Sequence, residues 1–113
     1  MTAKFRPFDV VAITVGEGAG AKRRPALVVS SPDFEASTGL VWVAMITTAD
    51  HERRFGDIPI ADQGAAGLPA PSVIRASKLA TLAVGKIKRR LGALSEADRL
   101  GARVALRASA AFV

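Results

Sequence analysis

Apolar and polar positions follow a short-strand pattern over most of the chain, and the period changes near the C-terminal end. Residues 9–15 read as a strand with Val11, Ile13 and Val15 on one face, and the glycine-rich residues 16–20 cannot continue it and form a mobile loop. The apolar run 26–30, opened by Pro25 where a strand tolerates proline, predicts a second strand. Residues 40–47, long and β-branched, predict a third. Ser31-Pro32-Asp33 and Thr38-Gly39 bracket the link between these two. After a polar loop at residues 49–54, residues 57–61 alternate weakly, residues 72–82 read as one or two strands behind Pro69 and Pro71, and residues 86–91 as a further short strand. Ser95, followed by Asp98 three residues on, resembles a capping box with Asp in place of the usual Glu. Leu100, Val104, Ala108 and Ala111 then form the apolar stripe of an amphipathic helix. The whole predicts a mainly β (α+β) fold, a small curled barrel of five to six strands with a C-terminal helix.

Composition narrows this picture. At 113 residues the chain fits one domain, residues 1–113, and with half its residues apolar it can bury a core unaided. Cysteine is absent, which removes disulfides and thiolate metal sites. No stretch approaches the roughly 18 apolar residues of a membrane helix, and Lys4 and Arg6 are followed by no long apolar run, so a soluble, unexported, cytoplasmic protein is expected. The net charge of +6 is large for this size and clustered, at Lys22, Arg23 and Arg24, at Lys86, Lys88, Arg89 and Arg90, and at Arg99, Arg103 and Arg107. Such clusters attract polyanions or acidic protein segments. Stacking platforms for bases would have to come from Trp42 or a few Phe, since Tyr is absent. The glycines at 16–20 lack the lysine and hydroxyl residue of a phosphate loop. Asp50-His51-Glu52 are adjacent on a polar loop and point in different directions, so no metal site and no cofactor is expected.

Several segments, in order, resemble the MazF/PemK family of toxins from bacterial toxin-antitoxin pairs. They are Phe8-Asp9-Val10-Val11, Lys22-Arg23-Arg24-Pro25-Ala26-Leu27-Val28-Val29-Ser30, Val43-Ala44-Met45-Ile46-Thr47-Thr48 and Pro71-Ser72-Val73-Ile74-Arg75-Ala76-Ser77-Lys78-Leu79-Ala80-Thr81-Leu82. The resemblance implies a homodimeric SH3-like barrel that cuts single-stranded RNA without metal, leaving a cyclic phosphate and a 5′-hydroxyl. It also implies an antitoxin that silences the toxin with an inhibitory C-terminal tail. In this reading Arg24 takes the position of the catalytic arginine and Thr47 that of the active-site threonine, with Thr48 as a neighbouring candidate. Arg75 matches a position that some members use catalytically, as a second phosphate clamp, with a salt bridge to a nearby acid as the equal alternative. Three departures stand out: Phe8 where members usually have Gly, Ser77 where some carry an acidic residue, and no histidine in the first loop.

The chemistry expected of such residues is specific. Metal-free RNA cleavage needs a group to take the proton of the 2′-hydroxyl, a donor to the departing 5′-oxygen and positive charge at the crowded phosphorus. One histidine in the chain excludes a two-histidine arrangement. The planar fork of arginine donates two hydrogen bonds to phosphate at once, so Arg24, at a loop-to-strand junction, and Arg75 are cast as electrostatic stabilisers, with the general base left open. Thr47 offers a hydroxyl to phosphate or to the 2′-hydroxyl. Alternation places Ser77, a further but weaker catalytic candidate, on the strand face of Arg75 and Lys78 opposite. Lys22, Arg23 and Lys78 are expected to hold RNA, Glu17 to contact it or to stand solvated, and the arginine ridge at 99, 103 and 107 to meet RNA, an acidic tail or only water. The alternative function is a non-catalytic binding module, or a gyrase-type protein poison, on the same fold.

Overall fold

The computed structural model describes residues 2–50 and 52–111. Six strands form one antiparallel sheet in the order β4-β5-β3-β2-β1-β6. They are β1 (Asp9–Val15), β2 (Lys22–Val28), β3 (Leu40–Thr48), β4 (Asp57–Pro59), β5 (Ser72–Ala83) and β6 (Ile87–Ala93), with helices α1 (Pro32–Thr38) and α2 (Glu96–Ser109). The mainly β architecture with a C-terminal helix agrees with the expectation. The ladder itself does not close, since β4 and β6 are its edges.

The chain following β4 packs across β6. The Ala93 N–H donates to the Ala65 carbonyl at 3.1 Å. A Cβ on Gly92 would lie 2.4 Å from the Ala65 oxygen, and one on Gly67 2.0 Å from the Leu91 oxygen, so this seam admits only glycine.

Alternation along the strands gives the sheet two buried faces. Val10, Leu27, Ala44, Ile46 and Ile74 form one core with Ile60, Leu68 and Ala102. Val11, Ile13, Ala26, Val28, Val41 and Val43 form the other, against which Phe5, Met45 and Leu82 pack. Phe5 is held there because the buried Glu35 carboxylate accepts the N–H groups of Lys4 (2.6 Å) and Phe5 (3.0 Å).

Three elements differ from the sequence reading. The link between β2 and β3 holds a helix, α1: Ser31 caps it by accepting the Phe34 N–H at 3.1 Å, Pro32 opens it, and Gly39 ends it in the left-handed region at φ 72°. The residues that mark a turn are also those that cap a helix, and the short span concealed the period. Phe8 has φ 72°, the sole non-glycine residue with positive φ among the described residues, which explains why glycine suits this position in the family it resembles. It holds the conformation by donating to the Val28 carbonyl (2.7 Å) and accepting from the Leu94 N–H (3.0 Å).

The third difference is the face of α2. Leu100 and Val104 are 64% and 63% exposed, and the helix instead buries Asp98 and Ala102. Gly101 lies close against Ile58. Ser95 does cap the Asp98 N–H (3.2 Å), but the short Asp98 side chain reaches across to the N–H groups of Ala61 (3.0 Å) and Asp62 (2.9 Å) rather than back to the cap. That bond pair selects the small-residue side, which permits close approach, over the stripe of larger residues. No helix among the described residues is long and apolar enough to cross a membrane.

Candidate functional site

The sheet forks at Pro25. The β2–β3 ladder runs through Val28–Val43, Leu27–Ala44 and Ala26–Met45 and ends there, where Pro25 has no N–H to give. Outward of this point β2 stays paired with β1 as far as Lys22–Val15. On the other prong, β3 stays paired with β5 as far as Thr48–Ser72. One prong therefore carries Lys22, Arg23 and Arg24 and the other Ile46, Thr47 and Thr48. Counting two residues outward from Ala26–Met45 on each strand brings Arg24 level with Thr47, and opposed residues share a sheet face.

Arg24 thus lies inside a strand, not at its mouth: pairing with β1 extends β2 back to Lys22, although residues 22–24 are polar. It is exposed and, among the described residues, its side chain makes no hydrogen bond or ion pair, so its donor fork is free for an anion. Lys22 and Arg23 are exposed beside it, and Thr47 is half-buried. The Thr48 hydroxyl donates to the Asp50 carboxylate, which ties it to the following loop.

Arg75 has a different setting. It faces Met45 on one side and Asp57 on the other, two pairs inward of Thr47–Val73. The strands β3 and β4 run the same way on either side of β5, and the chain that joins them, with residues 52–56, crosses over β5. Arg75 lies beneath that crossing. Its Nη2 donates to the Glu52 carbonyl (3.2 Å) and stands 3.7 Å from Asp57 Oδ2, with the two side chains only 7% and 1% exposed. Arg75 is a buried pin for the crossover rather than an open clamp.

Ser77 and Lys78 do not join Arg24 and Thr47. The β3–β5 register jumps from Ala44–Leu79 to Met45–Arg75, so residues 76–78 bulge out of the ladder. A bulge breaks strict alternation, which is why Arg75 is buried while Ser77 is exposed, against the expectation of a shared face. Ser77 lies in the bulge between the levels of Met45 and Ala44, two to three residues from Thr47 along β3, roughly 8 Å. Glu17 lines an open hollow with Thr14, Thr81, Leu82 and Lys86, toward the far half of β5. His51 lies outside the described residues. Of the arginine ridge, Arg99 and Arg103 stand over the Phe8 ring, 5.9 and 5.1 Å from its centre, and Arg107 is exposed in the last turn.

The sequence reading did not single out Asp57 or the residues Arg53, Arg54 and Phe55 of the crossover. A turn signal was present in Gly56, which takes φ 84°, followed by Asp57, whose carboxylate accepts the Arg54 N–H at 2.9 Å. Nothing local announced the long-range Arg75–Asp57 pair.

Comparison with known proteins gives a consistent picture. The family described as PemK-like, MazF-like toxin of type II toxin-antitoxin system matches residues 6–109. No curated protein matches the chain in sequence. Among solved structures, the Mycobacterium tuberculosis toxin MazF-mt6 superposes with a TM-score of 0.74 at 22% identity, over 89% of this chain and 94% of that one. An endoribonuclease in complex with its cognate antitoxin from a mycobacterial species gives 0.74 at 20% identity, over 93% of each chain. A MazE-MazF structure from Deinococcus radiodurans gives 0.74 at 20% identity, over 93% of this chain and 94% of the other. At these identities the likeness establishes the fold.

Proposed function

Since the chain belongs to the PemK-like, MazF-like toxin family of type II toxin-antitoxin systems, we propose that it is a toxin acting as a metal-independent endoribonuclease on single-stranded RNA. The observation that carries this reading is the forked sheet, with the unpaired guanidinium of Arg24 level with the hydroxyl of Thr47. In the proposed reaction the substrate 2′-hydroxyl loses its proton and its oxygen attacks the adjacent phosphorus. The bond to the 5′-oxygen breaks, and that oxygen takes up a proton. A 2′,3′-cyclic phosphate and a 5′-hydroxyl result. Arg24 holds two phosphate oxygens and stabilises the charge that builds there. Thr47 bonds the same phosphate or orients the 2′-hydroxyl.

Lys22 and Arg23 hold the RNA backbone on the Arg24 side of the fork. Arg75 acts through the crossover that it pins, and Ser77 and Lys78 stand at the margin of the RNA path. Unpaired RNA suits the fork because its 2′-hydroxyl can be turned in line with the leaving oxygen, which a duplex prevents. Residues 1–113 are read as one toxin domain that works in the cytoplasm as a homodimer. Its antitoxin inserts a disordered C-terminal tail along the same groove and so blocks substrate. The endoribonuclease with bound antitoxin among the similar structures supports the partner's class.

The test is incubation of purified protein with mixed-sequence RNA in excess EDTA. Cleavage is expected to persist with chelator, to give cyclic-phosphate ends, and to disappear in Arg24→Ala and Thr47→Ala. RNA left intact by antitoxin-free protein across sequences would favour a binding module on this fold. Loss of cutting with EDTA would make it a metal nuclease.

A further inference from the structure

We infer that Phe55 is a stacking platform for an unpaired base of the substrate strand, close to the scissile phosphate; this rests on the single-stranded RNA reading above. Among the described residues the other aromatic side chains have packing partners, although Trp42 remains 45% exposed. Phe8 is buried, Phe5 covers the second core, and Phe34 and Trp42 pack on each other with ring centres 4.7 Å apart. Phe55 is 79% exposed, the most exposed large apolar residue among those described.

A single exposed apolar residue is ordinary. What sets Phe55 apart is its mount and its neighbours. The turn that carries it is bonded on both sides: the Arg54 N–H donates to Asp57 Oδ2 (2.9 Å) and the Asp57 N–H to the Arg54 carbonyl (3.0 Å). Gly56 adopts φ 84° and accepts the Ala76 N–H at 3.2 Å. Three residues before Phe55, the Glu52 carbonyl is held by buried Arg75. The backbone is thus fixed on the sheet while the ring projects into water.

Arg53 and Arg54 precede the ring, both exposed and without an ion pair among the described residues. A fixed aromatic face beside two free cations offers both parts of a single-strand subsite, a plane for a base and charge for its phosphates. The ring also lies within reach of the fork. It is joined to β4 at Asp57, which is two strands from β3 and level with Met45, two residues short of Thr47; about 10 Å across and about 7 Å along give roughly 12 Å. A short run of extended nucleotides spans that distance. Every base has a flat face, so this subsite anchors the strand with little sequence preference.

The experiment uses the full chain and a mixed-sequence RNA oligonucleotide whose 2′-hydroxyls are methylated, which blocks attack but leaves the bases free. Phe55→Ala and Phe55→Leu are expected to weaken binding about tenfold, and Phe55→Trp to restore it. The tryptophan at that position, in a Trp42→Phe background, is expected to be quenched by the oligonucleotide. In cleavage of unmodified RNA, KM should rise with kcat little changed.

Wild-type binding that Phe55→Ala leaves unaltered would overturn the inference and leave the RNA reading standing. So would full binding by Phe55→Leu, which keeps apolar bulk without a π-face. Weakened binding accompanied by a change of sedimentation mass would assign the ring to a subunit contact instead. Wild-type protein that neither binds nor cuts single-stranded RNA would overturn the underlying reading and this inference with it.

Discussion

Removing the carboxylate of Asp57 should cost far more stability than its place in a loop-edge strand suggests. Asp57→Ala leaves the Arg75 guanidinium, 7% exposed, under the crossover with only the Glu52 carbonyl for company. Breaking a buried pair from one side typically costs about 3–5 kcal/mol, because the remaining charge cannot recover its hydration. The loss of the Arg54 N–H bond to Asp57 adds about 1 kcal/mol. Against a total stability on the order of 5–15 kcal/mol, this is a third or more of what holds the domain. With a urea m-value of about 2 kcal/mol per molar, the unfolding midpoint should fall by about 2 M. The pair itself is poorly optimised, since Asp57 Oδ1 is buried with no hydrogen-bond partner and the ionic contact is 3.7 Å long. Asp57→Leu combined with Arg75→Met should therefore regain most of the loss. A midpoint shift below about 0.5 M for Asp57→Ala would refute the argument that Arg75 is desolvated. The rescued double variant also separates two roles of Arg75: cleavage retained in it would confine Arg75 to holding the crossover, whereas kcat abolished in a stable protein would make it a direct phosphate ligand.

Arg24→Lys keeps the charge and removes the fork, so single-turnover cleavage should drop on the order of 100-fold while RNA affinity changes little; near-wild-type turnover would take Arg24 out of the mechanism. At Phe8 the usual order of substitutions should invert. Both Phe8→Ala and Phe8→Gly lose the buried ring, at about 3–5 kcal/mol, but only glycine escapes the positive φ, so thermal or urea unfolding should find Phe8→Gly the more stable by about 1 kcal/mol. Gly67→Ala places a Cβ 2.0 Å from the Leu91 oxygen at φ 72° and should cost about 3 kcal/mol or more, whereas Gly64→Ala, whose nearest neighbour is 3.6 Å away, should be within about 1 kcal/mol of wild type. Equal effects at the two glycines would mean that the seam on β6 is loose.

The parts of this molecule that sequence made legible are those decided within one element or by the order of elements. Strand alternation located β1 and β3, and the ordered segments brought out Arg24 and Thr47 before any pairing was known. The illegible parts are those decided between elements. The start of β2 is set by β1, not by the polarity of residues 22–24. The bulge at residues 76–78 reverses the environment of Ser77 relative to a strict period of two. In α2 two apolar stripes compete, and the two hydrogen bonds that Asp98 accepts from a distant loop choose the one with smaller residues.

The same distinction separates Arg24 and Arg75, the two arginines of the proposed reaction. Both lie in strands, and both belong to one face of the sheet. They differ because β5 is crossed by a loop and the end of β2 is not. Under the crossing a cation requires a counter-charge, and Asp57 supplies it; the bond to Glu52 then spends the remaining reach of Arg75 on backbone. At the fork, proline ends the ladder and no element covers the opening, so Arg24 keeps its charge and all its donors without an internal partner among the described residues. A further ion pair among the described residues joins Arg90, whose side chain is 55% exposed, to Asp9 at 3.0 Å where β6 meets the start of β1. Electrostatic stabilisation of a developing phosphate charge needs a donor already in place and not bonded elsewhere. Of the two strand arginines, only Arg24 meets that condition, and the local cause is the missing N–H of the residue that follows it.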